Sequence, residues 1–426
     1  MTPDEKIAYA RSFTAHVGVD TGKVSHAVVV SGPDGRRSKP FTVKIGRADF
    51  DEADAQIRRL APPDTPREKV LVGLEFAGQY GYTFAHDLAR RGYPIVNVLP
   101  TVTKRMKEVE DNSPLKTDGK DATLIARLVA EGKFVRFPFL DPTYAALRHL
   151  AVNRHRLGVE GVRYKNRLQS LLDLGWPEFL PVFKENLMAK TPMALLARWP
   201  LPEDLLGAPL RTVMRVAREA SRNHIDRDRI RALLASARET VGVRTGADER
   251  RREMLQVLDR LALVREQIAE VELWLAAAIA SCPPARALAT VPEVGTVCAA
   301  TIVSELGMPD DYEHPRQVLK LAGMNLVEKS SGLHKGRKRQ SKRGRPLLRR
   351  QLYLLAGRWC QRRGIYRAYY EALVARNGGH KTKAVCAVAR KLVPMLLAVM
   401  QSGEPFDRAR WEAARLLPRV KAVEEQ

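Results

Sequence analysis

The chain has 426 residues, room for two or three domains with proper cores. Its 45% hydrophobic content is ordinary for a globular protein, but 72 Lys and Arg against 48 Asp and Glu leave a net charge of +24. That excess fits a polyanionic partner, while an aromatic content of only 6% argues against a base-stacking platform for single strands. Cys282, Cys298, Cys360 and Cys386 form no CxxC pair, so they read as small buried apolar residues and not as a zinc site or disulfide framework. No uninterrupted apolar run reaches the roughly 18–20 residues of a membrane span, and MTPDEKIAYARSF lacks a signal-peptide core. A soluble protein of a reducing cytoplasm is expected.

In the first region, residues 16–20 (HVGVD) read as a buried strand ending in a carboxylate, and residues 25–30 (SHAVVV) as the returning strand of a hairpin. Residues 38–45 offer a third strand, and residues 50–60 have helical spacing. Residues 70–75 (VLVGLE) repeat the first pattern, with an acid just past the last apolar position. A helix over 83–91 and a strand over 95–99 follow. Strands mixed with helices in this order indicate a mixed sheet covered by helices, an α/β domain. Strand ends of this kind, Asp20 and Glu75, meet at one sheet edge if the strands are neighbours.

KTDGKDATLIARLV (residues 116–129) then reads as a helix with Asp118 and Asp121 on its first turn. Residues three apart share a helix face, so both carboxylates can point one way. Capping of the helix is the alternative reading for one of them. Clustered carboxylates raise each other's pKa unless a cation lies between them. Oxygen-only ligands suit Mg²⁺ or Mn²⁺, and paired ions of that kind serve phosphodiester displacement.

Asp20 in GVDTGK, Glu75 in GLEFAG, and Asp118 with Asp121 in KTDGKDA resemble the ribonuclease-H/RuvC-like domain of the DEDD transposases of insertion-sequence family 110. GVDTGK followed by a hairpin is also similar to the first phosphate loop of sugar kinases and actin-like ATPases. Those proteins need further glycine-rich nucleotide loops, and the sequence that follows is helical and basic instead.

The middle region begins with a helix over residues 144–174, apolar on one side and basic on the other. Prolines 181, 192, 200, 202 and 209 then mark short helices and turns. In residues 248–280, Met254, Leu258, Leu261, Val264, Ile268, Val271 and Leu275 recur at steps of three and four. That spacing predicts a coiled-coil seam with another helix of this chain or of a second subunit. The expected organisation is a catalytic α/β domain over 1–142, a helical and dimerisation region over 143–285, and a mainly helical domain over 286–426.

In the third region, residues 287–307 read as helix, turn, helix around Pro292-Glu293-Val294-Gly295, similar to a helix-hairpin-helix. Such a turn holds a DNA phosphate through its amides, but Glu293 stands where glycine is usual. Next come Ser330, Ser331 and Gly332, followed by a run with no acid that carries Lys335, Arg337, Lys338, Arg339, Lys342, Arg343 and Arg345. A bare basic run usually belongs to a solvated tail, but helix-forming sequence on both sides makes this one a loop within a fold. A flexible turn explains the hydroxyls without chemistry. A strongly apolar helix over 381–400, with a kink at Pro394, closes the chain's core.

The G-x6-S-S-G turn from Gly323, the S-K-R-G at 341–344 and the A-R-K-L at 389–392 resemble the C-terminal transposase domain of the same family. The resemblance implies a recombinase with Ser331 as nucleophile, Ser330 the alternative, working with a metal held by Asp20, Glu75, Asp118 and Asp121. It also implies double-stranded DNA as substrate, a structured guide RNA, and a homodimer or homotetramer associated with the nucleoid. Two other readings stay open: a metal-dependent endonuclease of the Holliday-junction type, and a non-catalytic nucleic-acid-binding protein.

Overall fold

The computed structural model describes residues 1–76, 78–110, 117–137, 141–328, 336 and 338–409. These divide into two compact units, Met1–Phe139 and Leu140–Gln426.

The first unit opens with α1 (Pro3–Arg11), started by a Thr2/Glu5 capping box that the sequence reading passed over. Then come β1 (Ala15–Thr21), β2 (Ser25–Ser31), β3 (Phe41–Lys44), α2 (Arg47–Leu60), β4 (Val70–Glu75) and α3 (Tyr82–Arg90). β5 (Ile95–Val98), α4 (Pro100–Glu110), α5 (Asp118–Ala130) and β6 (Val135–Arg136) complete it. The sheet has six strands in the order β3-β2-β1-β4-β5-β6. β1 runs parallel to β4 and β4 to β5, whereas β1–β2, β2–β3 and β5–β6 are antiparallel.

Strand alternation sorts the side chains into two layers. Val17, Val19, Val28, Val72 and Leu74 pack with Phe50, Ile57, Phe84 and Leu88 of α2 and α3 on one face. On the other, Leu71, Val96 and Val98 pack with Ile125, Leu128 and Val129 of α5. Gly18 and Gly73 are partners in the parallel register, and both lie beneath α5. A Cβ at Gly18 would stand 2.1 Å from the Ala122 carbonyl oxygen, and one at Gly73 would stand 2.0 Å from a Val129 methyl. The two glycines form the seat of the helix, the close approach for which a strand glycine is suited.

The second unit is helical. Its frame is α6 (Pro142–Gly175), followed by α7 (Phe179–Val182), α8 (Lys190–Arg198), α9 (Pro202–Leu206), α10 (Leu210–Ser221), α11 (Arg227–Arg238) and α12 (Ala247–Ala280). α13 (Pro283–Ala289), α14 (Thr296–Leu306), α15 (Pro315–Leu321), the strands β7 (Leu326–Val327) and β8 (Arg339–Gln340), α16 (Pro346–Gln361), α17 (Ile365–Arg376) and α18 (Lys381–Ser402) follow. The seam of α12 is taken by α6, so the partner helix belongs to this chain. The two run antiparallel, with Arg154 on Glu272 at 2.7 Å and Arg167 on Glu253 at 2.5 Å. Each is 34 residues long, about 50 Å, and each serves two cores. One core gathers α7–α11 around Trp176, Phe179 and Leu196; the other gathers α13–α18 around Ile302, Leu352 and Leu392. α18 is long and apolar enough to cross a membrane by length and composition, but its Val388, Leu392, Val393 and Leu396 are core residues of this unit.

Candidate active site

In β1 and β4 the alternation that turns Gly18 and Gly73 toward α5 turns Asp20 and Glu75 the same way, two residues further on. The parallel register makes Asp20 and Glu75 direct partners, and Thr21 Oγ1 ties the strand ends by donating to the Glu75 carbonyl at 2.8 Å. α5 begins behind Thr117, whose hydroxyl accepts from the Lys120 amide, so capping is done by Thr117. Asp118 and Asp121 are thereby left to point outward from the first turn. Asp121 is buried and Asp118 exposed.

The electrostatics tie the four acids together. The Asp20 carboxyl is pushed up to about 6, first by burial and then by the like charges of Asp121, Glu75 and Asp118, against a lowering by Lys107. Lys107, on α4, sets its ammonium 2.6 Å from Asp121. The sequence reading placed no element between residues 99 and 116 and so missed this lysine. A start signal was present, since Pro100 at a helix's first position is favourable.

Among the described residues, no three His, Cys, Asp or Glu side chains group closely enough to hold a metal ion. The donor chemistry does fit a hard divalent cation: the acids are all oxygen ligands, and their mutual repulsion is what a cation relieves. Lys107 now supplies one positive charge at that place.

The other candidate residues belong to the second unit. Ser330, Ser331, Lys335 and Arg337 lie outside the described residues. β7 and β8 pair across the segment that contains them, Leu326 with Gln340 and Val327 with Arg339. The S-K-R-G that follows is fixed against the end of α15. The Ser341 amide donates to the Asn325 carbonyl at 2.9 Å, the Lys342 amide to Gly323 at 2.9 Å and the Arg345 amide to Leu321 at 2.7 Å. Gly344, at φ 150°, approaches so closely that a Cβ would meet the Leu321 carbonyl oxygen at 2.2 Å.

Lys338, Arg339, Lys342 and Arg343 are exposed, with Lys338 3.9 Å from Glu328. Arg345 differs from them. Its guanidinium donates to the Glu305 carbonyl at 2.5 Å, and its pKa is lowered by burial and then by neighbouring Arg148. Arg345 therefore joins α14 to α16 from within. In the hairpin between α13 and α14, Glu293 adopts φ 66° and accepts from Arg362 at 2.8 Å. The acid is neutralised by that arginine, and Trp359 Nε1 holds the Pro292 carbonyl at 2.9 Å.

Comparison with known proteins bears on both units. A family model described as a transposase, of the DEDD type of insertion sequence IS110, matches residues 17–177. A second, described as transposase of the IS116/IS110/IS902 family, matches residues 285–371. The "Insertion element IS110 uncharacterized 43.6 kDa protein" of Streptomyces coelicolor is 25% identical over 401 residues, covering 92% of this chain and 95% of its own. The transposase for insertion sequence element IS1328 of Yersinia enterocolitica is 29% identical over 147 residues, 34% of this chain and 43% of its own. The first matched region holds all four acids and the second holds Ser330 and Ser331 with the basic run that follows them in sequence. The chain belongs to the IS110 family of transposases.

Proposed function

We propose that this transposase cuts and rejoins DNA strands through a covalent phosphoserine intermediate, with Ser331 as nucleophile and Asp20, Glu75, Asp118 and Asp121 as its acid cluster. The observation that carries the reading is the in-register pair Asp20 and Glu75, with Asp121 and Asp118 close enough to raise the Asp20 carboxyl. Such a concentration of negative charge at a sheet edge is costly unless a function requires it. A divalent cation, Mg²⁺ or Mn²⁺, would draw these carboxylates together in place of Lys107 and would supply charge stabilisation at the phosphate.

The chain's own residues do the rest. The Ser331 hydroxyl gives up its proton and forms a bond to phosphorus, the phosphorus–oxygen bond to the leaving strand breaks, and that strand's oxygen takes up a proton. Attack by the hydroxyl of a second strand reverses the sequence and frees the serine. Bond number is unchanged throughout, so religation needs no added energy source. Lys338, Arg339, Lys342 and Arg343, with Lys335 and Arg337, balance the phosphate charge. A structured guide RNA and a homodimer or homotetramer acting in the cytoplasm complete the reading. They rest on family membership and on the net charge of +24.

The test is a denaturing gel with labelled substrate. Ser331→Ala is expected to lose both recombination and the covalent protein–DNA species, while Ser330→Ala keeps some of each. An adduct that persists in Ser331→Ala but not in Ser330→Ala moves the nucleophile one residue back. Free strand ends without any adduct in the wild-type protein would make the chain a metal-dependent endonuclease of the junction-resolving type. Asp20→Asn or Asp121→Asn is expected to abolish cleavage with nucleic-acid affinity retained. Full cleavage in either, or in excess EDTA, would refute the acid-cluster reading.

A further inference from the structure

We infer that α10 carries a second DNA-backbone contact, formed by Arg211, Arg215, Arg218 and Arg222 and lying outside both family-matched regions. Residues 178–284 fall between the two matches, yet they build most of a core of their own around Phe179, Leu196, Val213 and Leu233. α10 buries Val213, Met214 and Ala217 in that core. Its opposite face is basic. At about 100° per residue, Arg211, Arg215 and Arg218 fall within an arc of roughly 60°, and Arg222 follows them as the left-handed C-cap of the helix. All four are exposed, and they line one open groove with Met214, Glu219 and Asn223.

A helix face kept merely for solubility usually mixes its signs, with acids and bases paired at i,i+4. From residue 210 to 223 there are four arginines and a single acid, Glu219. Among the described residues Arg215 alone of the four has an ionic partner, Glu219 at 3.3 Å. Like charges at this spacing weaken a helix, and Arg211 stands in the first turn, where a cation opposes the helix dipole. A polyanion lying along the face removes both penalties. The row spans about 16 Å, the rise of roughly five nucleotides of a duplex strand. The groove offers guanidinium groups and no aromatic ring, which selects the backbone and not the bases.

The inference rests on the reading that the chain acts on DNA, and its test separates the two. Full-length protein carrying Arg211→Gln, Arg218→Gln and Arg222→Gln is titrated with a duplex of arbitrary sequence over a range of salt. The slope of log affinity against log salt is expected to fall in magnitude by roughly 2 to 3, about 0.9 per lost phosphate contact. The matched lysine triple is expected to keep the slope, which guards against a folding defect. A control triple in the first unit, Arg47, Arg58 and Arg59 to Gln, removes the same charge and is expected to change the slope little. An unchanged slope in the α10 variant overturns the inference, as does an equal loss in the control. A loss seen with a structured RNA hairpin and not with duplex DNA overturns the assignment of DNA as the partner. Wild-type protein that binds no DNA would fail the proposed function itself.

Discussion

Gly18→Ala tests whether the acid cluster is assembled by the seat of α5. The added methyl would meet the Ala122 carbonyl oxygen at 2.1 Å and the Ala126 nitrogen at 2.3 Å, both backbone atoms that no rotamer change can move. Relief requires α5 to retreat from the sheet by on the order of 1 Å, an overpacking cost of about 2–3 kcal/mol. In a unit of this size that is roughly 5–10 °C of melting temperature. The retreat draws Asp121, the neighbour of Ala122, away from Asp20. The Asp20 carboxyl then returns from about 6 toward its ordinary 3.8, and single-turnover strand cleavage falls by about 100-fold. Urea unfolding, carboxyl-carbon NMR titration and a single-turnover cleavage assay read the three effects. Wild-type stability together with wild-type cleavage would refute the reasoning, since α5 would then not be seated on this glycine.

Two further predictions use pH. Because the folded-state value of Asp20 is raised, the group favours folding most below its ordinary 3.8 and loses that contribution as pH rises through about 6. Metal-free Asp20→Asn is therefore expected to gain on the order of 1–2 kcal/mol over the wild type at pH 7, and to gain nothing at pH 4, in urea titrations at the two values. His26 works in the opposite direction: it is buried, stacks on Phe84, has no partner at either ring nitrogen, and its pKa is lowered by burial. Its contribution is complete above 6.5 and lost as pH falls below it, so His26→Phe is expected to flatten the loss of unfolding midpoint between pH 6.5 and 5.

The positions of Asp20 and Glu75 were legible because each follows an unbroken apolar strand, and parallel pairing of such strands puts their ends side by side. Asp118 and Asp121 were legible from a helix start. Local pattern carries that much. What it could not carry is contact between distant segments. Lys107 opposite Asp121 depends on where α4 comes to rest, and α4 is mostly polar, docking on the core through Val102 and Met106 alone among its described residues. Arg345 reads as one more member of a basic run, yet it turns inward because the Glu305 carbonyl, forty residues earlier, receives it. The partner of α12 was similarly open: its heptad spacing states that a helix is needed, and only the fold supplies α6.

The seat of α5 also has a consequence for synthesis. Every strand and helix that positions the four acids is finished by Phe139, whereas Ser331 lies far downstream in the second unit. At about 5–20 residues per second, roughly ten to forty seconds separate the two during translation. An enzyme that cut by hydrolysis through its acids alone would be armed throughout that interval, while still attached to the machinery making it. A cleavage that needs the serine as well leaves the nascent chain harmless to the DNA around it until its last quarter has emerged.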